Sequence, residues 1–310
     1  QDSESAHKLC QLKERIRSLS CGHITTYQVK WDNINQKMIG MDRFADMVIS
    51  DITKQMKGEW ESWAKLTEDE KKRRIHWNLA KEKFSRYIMK KKEAGEVIGR
   101  LNFGERFLLI QGEMGSGKST LAGYLTVKLQ EQGWETLPVF CGREGSLYTA
   151  QEVAIYILRF LEDLQNLDHF QPVSEDRGVW SMLSIAYQEC DGIKWQNCLT
   201  ETALRCCKST GKKVVLIIDG VDELSNDGMR RELLFVPHCL SDQIRVVMTC
   251  TEKIDIDTIA IQKEVHVNLF NSIMWKQFNK VEIRGVLNLF LKNQGRELSD
   301  KVKEKIVSKE

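Results

Sequence analysis

The sequence predicts an α/β protein built on a mostly parallel sheet, preceded by a helical segment and followed by the start of a second helical region. Three observations carry this. From about residue 105 short apolar runs alternate with helical stretches, the order produced by crossover connections in a sheet covered on both faces. A glycine-rich turn at residues 112–119 stands between one such run and a helix. A second run, residues 214–218, ends in acids.

Residues 1–100 read as helical, without the glycine-containing strand and turn signals found later. Met41, Ala45, Val48, Ile52 and Met56 recur at spacings that place them on one helical face. Thr67 followed by Glu70 is a capping box, in which each side chain satisfies the other's free backbone N–H. It opens a second helix, with Ile75, Leu79, Phe84 and Ile88 as its expected buried side. The predicted strands are then residues 107–111, 137–141, 214–219, 245–249 and 264–269, and the predicted helices 119–132, 149–165, 195–209 and 228–240. Residues 281–310 return to helix, with Ser299 as candidate N-cap ahead of Val302, Ile306 and Val307.

Composition bounds the function classes. The chain has 310 residues, 42 % of them hydrophobic, and a net charge of +2, which excludes general disorder and leaves room for about two domains. Its longest apolar runs fall far short of the about 18 residues of a membrane span, and its polar start is not a signal peptide. Nine cysteines without a CxxC pair suggest reduced thiols in a cytoplasmic protein rather than a disulfide framework or a zinc site. A start at Gln1 and an end at Glu310 inside a predicted helix suggest a piece of a longer protein. Charge is uneven: residues 1–100 hold 21 Lys+Arg against 15 Asp+Glu, the remainder 25 against 29.

Gly112, Glu113, Met114, Gly115, Ser116, Gly117, Lys118 and Ser119 fit the G-x-x-x-x-G-K-[ST] phosphate-binding pattern in its strand-to-helix context. Glycines let successive N–H groups turn inward on a phosphate, and the positive end of the following helix adds to the attraction. Lys118 is expected at the β- and γ-phosphates, Ser119 on Mg²⁺, and Thr120 beside the α-phosphate. In the second run Asp219 takes the Walker B position, holding Mg²⁺ through its water shell. Asp222 or Glu223 could orient or deprotonate a water attacking the γ-phosphate; the sequence does not choose between them.

A hydrophobic strand followed by Asp219-Gly220-Val221-Asp222-Glu223 resembles the NACHT clade of STAND P-loop ATPases. Ordinary AAA+ enzymes place Glu directly after the Mg²⁺-binding Asp, where this chain has Gly220. The resemblance implies an ASCE-type core in which the strand at residues 245–249 lies between the phosphate-loop and acid strands. The T-x-R-P arginine common after that strand is absent from Thr249-Cys250-Thr251-Glu252-Lys253, so either Thr249 or Thr251 would sense nucleotide through its hydroxyl or this role has weakened. Residues 291–299 and the charged helix before the phosphate loop resemble the subgroup of telomerase-associated, nephrocystin-type and NACHT and WD-repeat proteins. The implied organisation is a helical lead-in at 1–100, a NACHT domain at 101–275 and the start of a C-terminal helical domain at 276–310. The implied activity is a slowly hydrolysing ATP-Mg²⁺ switch within a signalling protein. Its protein partners would act through domains outside this stretch, and self-association is left open.

Ten Lys+Arg against Glu82 alone in residues 71–92, with Trp77 and Tyr87 interleaved, could contact RNA or anionic lipid. The plainer reading is a solvated helix face with its aromatics turned inward. The rival functions are therefore a non-hydrolysing scaffold or ribonucleoprotein component that uses this helix on RNA, and a small phosphotransferase, which the D-G-x-D-E pattern disfavours. His76, His238 and His266 have no partners at ligand spacing and read as surface or core-edge residues. Cys206 and Cys207 read as buried or spectator thiols.

Overall fold

The computed structural model describes residues 10–11, 13–14, 30–87, 90–167, 192–225, 233, 235–237, 242–251 and 270–308. The chain divides into two compact units, residues 1–66 and 67–310. In the first, strands β1 (Lys30–Asp32) and β2 (Lys37–Ile39) form an antiparallel hairpin ahead of helix α1 (Met41–Ala64). The all-helical expectation for this part missed the hairpin, whose turn is set by a short acidic side chain. Asp32 Oδ1 accepts from the Ile34 N–H at 2.9 Å, and Asp32 Oδ2 accepts from Asn35 Nδ2 at 2.6 Å. The predicted residues do lie on one helix, α1, but Met41, Ala45, Ile52 and Met56 are exposed and Val48 is half-buried.

The second unit opens with helix α2 (Glu68–Arg86), begun by the predicted Thr67–Glu70 capping box, and helix α3 (Lys91–Asn102). Strands β3 (Phe107–Gln111), β4 (Glu135–Phe140), β5 (Val214–Asp219), β6 (Ile244–Cys250) and β7 (Phe270–Met274) then build one parallel sheet in the order β4-β5-β6-β3-β7. Because β6 lies between β3 and β5, the fold is the additional-strand P-loop NTPase core. The predicted strand at 264–269 and most of the predicted helix at 228–240 lie outside the described residues.

Continuous apolar strands are explained by burial on both faces. Alternate side chains go to opposite sides: Phe107, Leu109, Leu216, Ile218, Val246 and Met248 pack under helices α6 (Ala150–Leu167) and α7 (Gly192–Thr210). Leu108, Ile110, Val215, Ile217 and Val247 face helix α4 (Lys118–Glu131), α2 and α3 on the other side. A short helical turn α5 (Gly142–Gly145) follows β4, and helices α8 (Lys280–Asn293) and α9 (Asp300–Val307) end the described chain. Ser299 begins α9 as expected, though its side chain makes no cap bond. Among the described residues no helix is long and apolar enough to cross a membrane.

Helix α2 packs within this second unit. A Cβ on Gly123 would lie 2.7 Å from both the Ala80 carbonyl oxygen and Lys83 Cβ, so α2 and α4 cross nearly backbone to backbone. Of the predicted face, Leu79 packs against the core and Phe84 turns inward, but the crossing buries two further residues most deeply. His76 and Ala80 are fully buried, whereas Ile75 is 40 % exposed; Ile88 lies outside the described residues. The basic stripe is mostly solvated, with Lys72, Arg74, Lys81, Arg86, Lys91 and Lys92 exposed, while Arg73 pairs with Asp163 and Lys83 with Glu144 at 2.5 Å, and Arg159 of α6 pairs with Asp69 at the start of α2. Phe84 and Tyr87 turn inward onto Tyr124.

His76 corrects the surface or core-edge reading. Its Nδ1 accepts the Phe140 N–H at 3.1 Å, and its ring packs against Phe140 and Tyr156. Burial, helped by Lys72, pushes its pKa down to about 4. The unfolded chain, with a histidine pKa of about 6.5, therefore binds the proton first as pH falls. The stabilising contribution is complete above about pH 6.5 and declines by roughly 1.4 kcal/mol per pH unit toward about pH 4. Urea unfolding at pH 7 and pH 5 is expected to show wild type losing about 2 kcal/mol more than His76→Gln, and equal losses would show that His76 does not titrate this way. His238 and His266 lie outside the described residues.

Candidate functional site

The site forms at the C-terminal edge of the sheet, where β3 has β6 on one side and β7 on the other, the position at which open α/β sheets hold ligands. Strand β3 ends at Gln111, and the Gly112 N–H still reaches the Cys250 carbonyl at 3.2 Å. The chain then turns tightly through Gly115 and Gly117, at φ +81° and +91°, a left-handed conformation that residues with a Cβ adopt at a cost. Helix α4 begins at Lys118, so its first N–H groups and positive end point into the loop.

Lys118 lies inside its own loop. Its ammonium donates to the Gly112 and Glu113 carbonyls at 2.6 and 2.9 Å, and only 8 % of the residue is exposed. Burial lowers its pKa, opposed by the charges of Asp222 and Asp219. Ser116 is buried with its Oγ unpartnered, Met114 is exposed at the loop tip, and Thr120 Oγ1 donates to the Gly117 carbonyl at 2.7 Å.

Strands β5 and β6 supply the acids and the hydroxyls that hold them. Asp219, at the end of β5, accepts from Thr249 Oγ1 at 2.5 Å, and the Thr249 oxygen in turn accepts the Gly220 N–H at 3.1 Å. Burial raises the Asp219 pKa; hydrogen bonds from Thr249 and Ser119 oppose the rise. Thus Ser119, on the phosphate-loop helix, and Asp219, on the acid strand, meet. Thr251 holds the next acid: its N–H donates to Asp222 Oδ1 at 3.1 Å and its hydroxyl donates to Asp222 Oδ2. Both of the candidate sensing hydroxyls are therefore engaged with carboxylates.

Glu223 differs from Asp222. It lies over Gly142, whose missing Cβ leaves the space that the Glu223 carboxylate occupies. Its pKa is raised by burial and then by the neighbouring charges of Asp219 and Asp222. The residues predicted from sequence are thus brought together, with Gly112 to Thr120 on one side and Asp219, Asp222, Glu223 and Thr249 on the other.

Sequence reasoning missed three contributors. Gly142 follows a predicted strand end but belongs to no motif. Trp275 donates its indole N–H to the Ser116 carbonyl at 3.1 Å, and Phe278 packs on Gly117. Nothing local marks these two aromatics, because they follow an edge strand whose neighbour β3 is more than 150 residues away in sequence.

The donor set fits Mg²⁺, since Asp219, Ser119 and Thr249 offer hard oxygens. The cradle fits a phosphate chain, since the loop combines left-handed glycines, an open helix N-terminus and a lysine whose present acceptors are only loop carbonyls.

Comparison with known proteins gives one family and several similar structures. A family model described as Nephrocystin 3, N-terminal, matches residues 74–251, more than half of the chain. A search of curated proteins gave no match. Among solved structures, AMPPCP-bound DnaA from Aquifex aeolicus is similar at 13 % identity and a TM-score of 0.39 over 70 % of this chain and 54 % of that one. A Walker-type ATPase of Pyrococcus abyssi is similar at 14 % identity and 0.44, over 71 % and 63 %. The ORC2 protein of Aeropyrum pernix in its ADPNP-ADP complexes is similar at 12 % and 0.38, over 66 % and 52 %. The chain thus covers between about half and two thirds of these structures.

Proposed function

This chain belongs to the Nephrocystin 3, N-terminal family, and we propose that its second unit is an ATP-Mg²⁺ binding, slowly hydrolysing switch of the NACHT type within a larger cytoplasmic signalling protein. The observation that carries this reading is that the parallel pairing of β3, β6 and β5 brings the phosphate loop after Gln111 and the Thr249-held Asp219 to one edge of the sheet, which puts phosphate-binding and metal-binding groups in one place. ATP is preferred to GTP on the resemblance to NACHT proteins and on the lack of an N-K-x-D guanine motif. The NACHT domain is assigned to residues 101–275 with α2 and α3 packed onto it, and the C-terminal helical part to residues 276–310.

Mg²⁺ would be held by Asp219 and Ser119, where it neutralises charge developing on the phosphate oxygens. The rest is done by the chain itself. Lys118 leaves the Gly112 and Glu113 carbonyls to pair with the terminal phosphates, and the α4 N-terminus and loop N–H groups orient them. Thr249 keeps Asp219 aimed. Asp222 has both oxygens committed to Thr251, which leaves Glu223 as the carboxylate free to take a proton from the attacking water, with its raised pKa suited to a base.

Switching follows from differential affinity, since nucleotide moves the domain arrangement only by as much as its contacts differ between the two states. Calorimetric titration of the chain with ATP, with and without Mg²⁺, tests the reading. Saturable one-site binding strengthened by Mg²⁺ is expected, and no binding at millimolar ATP would reject it.

A further inference from the structure

We propose that residues 275–278 form a strap that couples the state of the phosphate-binding loop to helix α8, an inference that rests on the nucleotide-binding reading above. Each strap residue but one holds a different part of the loop. The Trp275 N–H donates to the Gln111 carbonyl at 2.6 Å, and its indole N–H donates to the Ser116 carbonyl at 3.1 Å. The Trp275 carbonyl lies directly against Gly112, where any Cβ would strike it. The Gln277 amide donates to the Glu113 carboxylate. The Phe278 ring comes within 3.0 Å of where a Cβ on Gly117 would stand.

The exception, Lys276, is held from the other side. Its carbonyl accepts from Lys90 Nζ, whose ammonium also lies 5.2 Å from the Trp275 ring centroid and 4.4 Å from that of Phe278. Lys90 is itself fixed: it has a left-handed backbone at φ 59°, and its carbonyl accepts from the Tyr87 hydroxyl at 2.9 Å. The strap is thus clamped between the α2–α3 connection and the loop. It has no slack at its far end, because the next residue, Asn279, opens α8 through a capping box with Glu282, with bonds of 2.8 and 2.9 Å.

This arrangement turns a local event into a longer movement. Lys118 now holds the carbonyls of Gly112 and Glu113, two residues the strap also grips. When a phosphate draws the ammonium away, both carbonyls lose their donor and the loop backbone must find other partners. Trp275 is only 5 % exposed, so its indole cannot exchange the Ser116 carbonyl for water without loss. Loop and strap therefore change together, and α8 follows. By reciprocity, whatever repositions α8 changes nucleotide affinity by the same factor.

Hydrogen exchange on the full 310-residue chain, with ADP and Mg²⁺ as the probe, tests the coupling. It should be run on wild type, Trp275→Phe and Gln277→Ala, each at a concentration shown to be saturating by its own titration. Gln277 is exposed, so its replacement leaves the core intact if the tryptophan variant folds poorly. In wild type, nucleotide is expected to change amide exchange across Lys280–Asn293 by about fivefold or more. In the variants that response should fall below about twofold although nucleotide is bound. An undiminished response in both saturated variants, or no response in saturated wild type, would overturn the strap. Failure of wild type to bind in the parallel titration would instead overturn the nucleotide-binding reading, and the strap with it.

Discussion

Replacing Glu223 by glutamine is expected to slow nucleotide turnover by about 10²–10⁴-fold while nucleotide still binds. The amide keeps the shape of the side chain, which Gly142 accommodates by lacking a Cβ, but it cannot accept a proton from water. Asp222→Asn is expected to cost less, because both Asp222 oxygens already accept from Thr251 and its role is to fix the end of β6 against the acid turn. Single-turnover phosphate release from the two variants separates them. Near-normal release from Glu223→Gln beside a collapse in Asp222→Asn would exchange the two roles.

Lys118→Ala is expected to weaken ATP binding by roughly 100-fold, the size of losing charge-assisted hydrogen bonds worth about 1.5–3 kcal/mol. In the present arrangement the ammonium is buried and bonded only to carbonyls of its own loop, at 2.6 and 2.9 Å. Those bonds keep the loop closed around a cation and are exchanged for phosphate oxygens on binding. Removing the lysine also removes the charge facing Asp219 and Asp222, so two carboxylates are left to repel the incoming phosphates. The loss should therefore be larger at low ionic strength, where exposed charges are screened less.

Much of this was legible in the sequence because the determinants are local. A phosphate loop is specified by eight consecutive residues, and a strand buried on both faces must be apolar throughout, so Val214 to Ile218 could be read directly. The intervening position of β6 was not a local property; it entered through the resemblance carried by Asp219-Gly220-Val221-Asp222-Glu223 and is confirmed by the pairing of β6 with both β3 and β5.

What failed to show was set by distance or by contact with small residues. Periodicity on α2 pointed to Phe84, which does turn inward onto Tyr124, and to Ile75, which is exposed; the backbone approach allowed by Gly123 buries Ala80 and His76, which the periodicity did not mark. The basic stripe is the solvated face that its plainer reading expects, but its pairs Arg73–Asp163 and Lys83–Glu144 could not be read locally, because the acids lie 60 to 90 residues away in sequence. The β1–β2 hairpin was missed because its strands are three residues long and exposed, so no alternation marks them. Asp222 and Glu223 are adjacent, and only the placement of Thr251 and Gly142 tells them apart.

The central claim is that residues 112–119 and Asp219 form one Mg²⁺-nucleotide site. Calorimetric titration of wild type and Lys118→Ala with ATP and Mg²⁺, in the same buffer, tests it most directly. The predicted result is a single saturable site in wild type whose affinity falls by roughly 100-fold in the variant while circular dichroism shows both chains folded without nucleotide. Equal affinity in the two chains, or no binding by folded wild type, would contradict it.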